Sequence, residues 1–576
     1  MRSTIPISIE QGERGFTRWD VFAVLLTLGL LIFFAEASRH LTQPLAELQH
    51  TPVSLDPYDL PEYAARTTLR MLVALALSLV FTFTYATAAA KNRRAEVVLI
   101  PLLDILQSVP ILGFISVTVV FFLSLAPGRV LGAEFAAIFA IFTSQAWNMA
   151  FSFYQSLRTV PVELVEASRN FRLSNWMHFW RVEVPFAMPQ LIWNMMVSMS
   201  GSWFFVVASE AISVGNTTVT LPGIGSYLAL AIEQKNLAAV GWAIGAMLVV
   251  ILLYDQLLFR PLVAWADRFR FEQQAGVTPP YSMVLDILRR SRIVAKLADP
   301  LSRVWQRSYQ LALFNRVPSA MAESYAARAS WVDRAWNGLV LVAAAVALWQ
   351  VARFVIANIS LPEVGRAALF GLATLTRVVV LIAIASVIWV PIGIMVGIRP
   401  RLAQFIQPVA QFLAAFPANV LFPLFVVAIV TLKLNPDVWL SPLMILGTQW
   451  YILFNVVAGA AAMPSELRDV GTNLQVRGWL WWRKIALPAV FPYYVTGAIT
   501  ASGGSWNASI VAEVASWGDT HLRANGLGAY IAQATEAGDM PRIVLGIAVM
   551  SLYVVIVNRA LWRPLYWYAE SKCRLG

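Results

Sequence analysis

A run of about twenty apolar residues is the length of helix that crosses a hydrocarbon layer about 30 Å thick, and this chain consists largely of such runs. They fall near 20–37, 65–90, 110–126, 133–156, 186–210 and 237–259, then again near 336–357, 366–397, 408–432, 438–461, 489–513 and 541–562. In lipid the backbone must satisfy its own hydrogen bonds, so runs of this length become α-helices. Apolar residues make up 59% of the chain and charged residues 13%, against about 45–50% and about 25% in soluble domains. The expected fold class is all-α: a polytopic membrane protein with about twelve transmembrane helices.

The two sets of runs are copies. Residues 147–262 align without a gap on 450–565 at a constant offset of 303, pairing Pro161 with Pro464, Glu163 with Glu466, Trp203 with Trp506, Glu210 with Glu513 and Tyr227 with Tyr530. Upstream, Arg70/Arg377 and Pro110/Pro417 match at an offset of 307. Repeats of this kind mark duplicated structural units. Each copy holds an even number of runs, so the two point the same way in the bilayer, as parallel six-helix repeats around a shared pathway. The expected division is a first repeat 1–262, a basic linker 263–332 and a second repeat 333–576.

The formal net charge of +11 does not signal nucleic acid, because its carriers sit in short loops. Lys91, Arg93 and Arg94 fill one loop, and Arg158, Arg169, Arg172 and Arg181 fill another, whereas the loop 39–62 is acidic. Alternating basic loops follow the positive-inside rule and place both termini and the linker in the cytoplasm. The linker's basic, amphipathic stretch around 286–292 can lie on anionic lipid headgroups. A single cysteine, Cys573, excludes an intrachain disulfide, and the four histidines lack metal-ligand spacing. Ala35-Glu36-Ala37 has the shape of a signal-peptidase site. The acidic Glu10, Glu13 and Asp20 before it, and the matching internal run at 336–356, read instead as a retained helix.

Between the fourth and fifth runs of each copy lies a polar loop that starts with Pro161 or Pro464 and carries carboxylates at Glu163 and Glu166, or Glu466 and Asp469. Proline and first-turn carboxylates favour a helix start. Two such knobs at equivalent places suit docking to a symmetric soluble partner. Here the sequence resembles the permeases of binding-protein-dependent ABC importers, whose coupling loop reads E-A-A-x3-G-x9-I-x-L-P. Glu166-Ala167-Ser168 and Asp469-Val470-Gly471 take the first positions, and Ile485-x-Leu487-Pro488 and Val182-x-Val184-Pro185 the last. Arg172 and Gln475 stand where the motif has glycine, so the turn must be made without it. Ser209-Glu210 before Gly223-Ile224-Gly225, and Ala512-Glu513 before Gly526-Leu527-Gly528, are similar to the nitrate, sulfonate, taurine and bicarbonate subfamily.

The resemblance implies a type I importer permease for a small anion in the bacterial inner membrane. Its partners would be two copies of a cytoplasmic ABC ATPase and an extracytoplasmic substrate-binding protein. No Gly-Lys dipeptide occurs, so no P-loop is encoded. ATP and Mg would sit on the ATPase, leaving this chain without cofactor, metal or catalytic residue. Residues Glu163, Glu166, Ala167, Ser168, Arg172, Glu466, Asp469, Gly471 and Gln475 would couple to the ATPase.

Polar residues within a bilayer are costly and mark pathways or helix contacts. Those in this chain are Gln107, Gln145, Asn148, Ser202 and Trp203 in the first copy, and Ser505, Trp506 and Asn507 in the second. Ser108, Asn194, Trp450 and Asn455 are further candidates. Glu210 and Glu513 would brace the glycine-rich segments after them. A secondary transporter with two parallel halves is the alternative. Such proteins hold charge in mid-membrane for ion coupling, which is scarce here.

Overall fold

The structure, a computed structural model, describes residues 53–108, 111–214, 217–269, 282–291, 330–461, 471 and 473–572, with isolated positions between them. Most of the run 20–37 and of the linker, together with Glu466, Asp469 and Cys573, lie outside the described residues.

The first copy contains α1 (Leu60–Lys91), α2 (Arg93–Ser108), α3 (Ile111–Leu125), α4 (Val130–Arg158), the short α5 (Val162–Asn170) and α6 (Val184–Glu210). A hairpin of β1 (Ala211–Val214) and β2 (Thr217–Thr220) follows, then α7 (Ile224–Glu233) and α8 (Leu237–Tyr254). In the linker, α9 spans Met283–Arg290. The second copy contains α10 (Ser330–Asn358), α11 (Leu361–Gly397), α12 (Pro400–Ala415), α13 (Ala418–Thr431), α14 (Gln449–Ala461) and α15 (Leu487–Ala512). Its hairpin pairs β3 (Val514–Trp517) with β4 (Thr520–Arg523), before α16 (Leu527–Glu536) and α17 (Met540–Val557). The molecule is an all-α polytopic protein whose two small antiparallel hairpins occupy equivalent places.

Eight helices among the described residues are long and apolar enough to cross a membrane: α1, α4, α6, α8, α10, α11, α15 and α17, several extended by short turns. The fourth run of the second copy is a pair of helices, Pro436–Ile445 and Gln449–Ala461, bent by 41°. The run 408–432 is broken, with α12 ending at Ala415 and Pro417 capping α13. Proline lacks the N–H that a continuous helix needs and fits a helix start.

Duplication reaches the irregularities. A π-turn at Phe179–Glu183 leads into α6, and one at Trp482–Ala486 leads into α15. A second pair, Asp255–Phe259 and Asn558–Trp562, follows α8 and α17. Such turns insert a residue into the helical repeat and bend it. Pro189 and Pro492 lie within α6 and α15 at the same offset.

The halves share their cores. Val420 on α13 packs among first-half residues, while Val119 on α3 and Ala136 and Ala140 on α4 pack among second-half ones. Gly518 N–H donates to Ile232 C=O at 3.0 Å, joining the second hairpin to the end of α7. The hairpin ends of both halves therefore lie side by side, as in halves that run in the same direction. Helix α10 is peripheral and exposed along its length, with Leu341, Leu348 and Ile356 on its surface. An apolar helix exposed all round suits contact with lipid.

Candidate functional site

Helix α5 projects from the end of the molecule opposite the hairpins. Pro161 caps it, Glu163 lies in its first turn, and Glu163, Glu166, Ala167 and Arg172 are exposed. Ser168 is buried and returns its hydroxyl to Val165 C=O at 2.7 Å. The helix ends in a Schellman arrangement: Leu173 N–H reaches Ser168 C=O at 3.1 Å and Arg172 N–H reaches Arg169 C=O at 2.9 Å. That motif turns on a left-handed residue, usually glycine. Here it is Arg172, at φ 50°. In the second copy Gln475 is also at φ 50°, and Val476 N–H reaches Gly471 C=O at 2.9 Å. The turn is thus made without glycine in both loops. Beside the left-handed residue stands a large exposed apolar side chain, Phe171 (79% exposed) in one loop and Leu474 (70%) in the other.

An ion pair ties the first loop to the bundle. Glu183, in the π-turn, pairs with Lys91 at the end of α1 and with His178 Nε2 at 3.1 Å. The equivalent second-half position is Ala486.

At the hairpin end each half holds a buried carboxylate. Glu210 accepts from Thr67 Oγ1, Arg70 Nη1 and Gly225 N–H, each at 2.7 Å. Arg70 also grips Glu134 through Nε and Nη2 at 2.6 Å, and all four side chains are buried. Glu513 accepts from Thr374 Oγ1 at 2.8 Å, Arg377 Nη1 at 2.9 Å and Ala529 N–H at 3.1 Å. Arg377 reaches Asp437, at the position equivalent to Glu134, at 3.2 Å. Each carboxylate fixes the segment between hairpin and next helix. Gly223 and Gly526 lie so close that a Cβ would sit 2.3 Å and 2.2 Å from carboxylate atoms. Bracing is what Glu210 and Glu513 do here. A buried charge is tolerated only when paired and hydrogen-bonded, and each of these is.

The hairpin end also carries an exposed contact between the halves. Lys235 Nζ lies 2.9 Å from Asp519 Oδ2. That hydrogen bond and the ammonium charge hold the Asp519 carboxyl below its ordinary value.

The polar residues singled out in the spans gather at two crossings. In the first half, Ser202 Oγ lies 2.7 Å from Ser144 Oγ, Asn148 Nδ2 donates to Ser198 Oγ at 2.9 Å, and Gln145 Nε2 lies 3.1 Å from Met199 Sδ. In the second, Ser505 Oγ lies 2.9 Å from Thr448 Oγ1, while Asn507 Nδ2 donates to Gly503 C=O at 3.2 Å, one turn back in its own helix. Trp203 and Trp506 are buried against the last spans of their own halves, on Tyr254 and Tyr553. The Gln107 and Ser108 side chains fall outside the described residues. Between the halves, Asn419 Nδ2 donates to Phe204 C=O at 3.0 Å and Ser200 Oγ to Ala414 C=O at 2.6 Å.

The family described as binding-protein-dependent transport system inner membrane component matches this sequence twice, over residues 67–262 and 389–561. The chain belongs to that family. Among its relatives, the bicarbonate transport system permease protein CmpB of Synechococcus elongatus is 30% identical over 196 residues, 34% of this chain and 66% of that protein. The nitrate import permease protein NrtB of Leptolyngbya laminosa is 26% identical over 186 residues, 32% and 63% of the two chains. The glycine betaine/proline betaine transport system permease protein ProW of Escherichia coli is 28% identical over 165 residues, 28% and 42%. The matched segments span just under two thirds of the length of the first two.

Two features of this inner membrane component escaped the sequence. Phe171 and Leu474 are apolar residues in polar loops, and their common offset of 303 could have marked them. Glu134 and Asp437 share that offset too, as carboxylates next to apolar runs, a pattern that asks for a cationic partner.

Proposed function

We propose that the chain is the fused permease of an ABC importer, forming the pathway for a small anion of the bicarbonate, nitrate or sulfonate class. Two copies of a separate cytoplasmic ATPase drive it, and an extracytoplasmic binding protein supplies it. The observation that carries this reading is α5 with its exposed Glu163, Glu166 and Phe171 at the end opposite the hairpins. An exposed aromatic flanked by charge is the composition of a protein-docking anchor. The second loop repeats the same left-handed turn.

Coupling falls to Glu163, Glu166, Ala167, Ser168 and Arg172 in one loop and to Glu466, Asp469, Gly471 and Gln475 in the other. Closure of the ATPase pair moves the two loops together, and the halves 1–262 and 333–576 rock about their shared core, with 263–332 as tether. Both termini are cytoplasmic. Gln107, Gln145, Asn148, Ser202, Ser505 and Asn507 line the route, with Trp203 and Trp506 behind them. Neutral donors let an anion bind without a fixed counter-charge, so that it can also leave. ATP and Mg belong to the ATPase, and this chain supplies no catalytic group.

Uptake of bicarbonate, nitrate and a sulfonate series in a strain deleted for the gene, with and without the plasmid-borne chain, tests the reading. Uptake should return for a small anion, stop on ATP depletion and survive an uncoupler. Uptake that survives ATP depletion and collapses with the uncoupler would establish the secondary transporter instead.

A further inference from the structure

We infer that Tyr451 is a one-sided plug in the pathway: a single aromatic ring, supplied by the second half alone, that closes the gap between the fifth spans and sets the size of anion admitted. This deepens the transport reading above and rests on it.

Tyr451 lies in the first turn of α14, immediately after the bend of the fourth span. Its side chain crosses to α6 of the first half, ending beside Ser200 and Gly201. Ser200 donates its hydroxyl to Ala414 C=O at 2.6 Å. Gly201, the next residue of α6, faces the Tyr451 hydroxyl, and a Cβ there would stand 3.5 Å from it. On the ring's other flank, a Cβ on Gly504 of α15 would stand 4.0 Å from Tyr451 Cε2. One side chain therefore touches the fifth span of each half, where both present glycine.

The repeat partner of Tyr451 is Asn148. It is shorter, and its amide is engaged with Ser198 of its own half. The partner of Ser200 is Gly503, with nothing within 4 Å of where its Cβ would be. The aromatic contact exists on one side, and the equivalent position on the other is open. Two matched halves would close such a gap with two equal residues; this chain uses one. A phenol is well suited to the task, as a rigid, bulky group with one neutral donor at its tip. A compact oxyanion can accept from that hydroxyl without meeting a fixed charge. Larger anions meet the ring.

The test uses the full chain with its ATPase and binding protein, in proteoliposomes. Tyr451→Ala should admit alkanesulfonates longer than those the native chain accepts and raise passive anion leak severalfold. Tyr451→Phe, which keeps the ring, should leave the size limit in place and weaken apparent affinity. In a Cys573→Ser background, Tyr451→Cys should react with a charged methanethiosulfonate, more slowly when transported anion is present. An unchanged size limit and leak in Tyr451→Ala, or a Tyr451→Cys thiol inert in every state, overturns the inference. Loss of ATP-driven anion uptake in the native chain would overturn the transport reading instead. The thiol's reactivity would still report whether position 451 faces water.

Discussion

Arg70 donates Nη1 to Glu210 at 2.7 Å, and both side chains are buried. One arginine thereby joins three distant parts of the first half: α1, the start of α4 through Glu134, and the end of α6. Removing one member of a buried pair leaves an uncompensated charge and costs about 3–5 kcal/mol. Arg70→Met should lower the thermal midpoint of the detergent-solubilised chain far more than Arg377→Met, because Asp437 on the second brace is partly exposed. Equal losses would show that the two braces do not differ as their burial implies. Gly223→Ala should behave like Arg70→Met by driving a methyl into the carboxylate. Gly241→Ala, with open space at its Cβ, should gain up to about 1 kcal/mol of helix propensity.

Arg172 occupies a backbone region that costs an L-residue about 1–2 kcal/mol. Arg172→Gly should relieve that strain and slow amide hydrogen exchange over 162–173 without altering the path of the loop. Gln475→Gly should do the same around 473–476. Faster exchange in either variant would mean that the side chain, rather than the backbone, holds the turn.

Phe171 is the most exposed large apolar residue of the first loop, ahead of Val162. Phe171→Asp should abolish co-purification of the ATPase while leaving the thermal midpoint unchanged. Leu474→Asp should weaken the second contact in the same way. Retained binding in the double variant would rule these residues out as docking anchors.

Asp519 is held below its ordinary value by Lys235. A carboxyl depressed in the folded state contributes stability above its unfolded value, near ~3.9, and loses it as pH falls through the folded value. The Lys235–Asp519 link should therefore persist from neutral pH to below the usual carboxylate range. Hydrogen exchange at 514–523 should accelerate only in acid beyond that range. Because the pair is exposed, salt should loosen it at any pH, and Lys235→Glu should loosen it at neutral pH. A hairpin whose exchange ignores salt, acid and Lys235→Glu alike would show that the link holds nothing.

Much of this architecture was legible because duplication writes the same signal twice. The offset pairs located the loops and their carboxylates, and they aligned Pro417 with Pro110 without marking the break that the structure shows there. Hydropathy averages across a window, so it merged α12 with α13 and passed over the bend between Ile445 and Gln449. The partners of Glu210 were not legible. Thr67, Arg70 and Glu134 are remote along the chain, and only packing brings them to one point. Tyr451 stayed silent for the opposite reason. A comparison of copies highlights what they share, and this residue matters because its mate Asn148 is different.

Each half lends its neighbour part of the interior: Val420 fills a gap in the first, and Val119, Ala136 and Ala140 fill one in the second. A single repeat produced alone would leave that socket empty. Two polypeptides cut within residues 263–332 should still find each other in the bilayer, whereas either one by itself should be degraded.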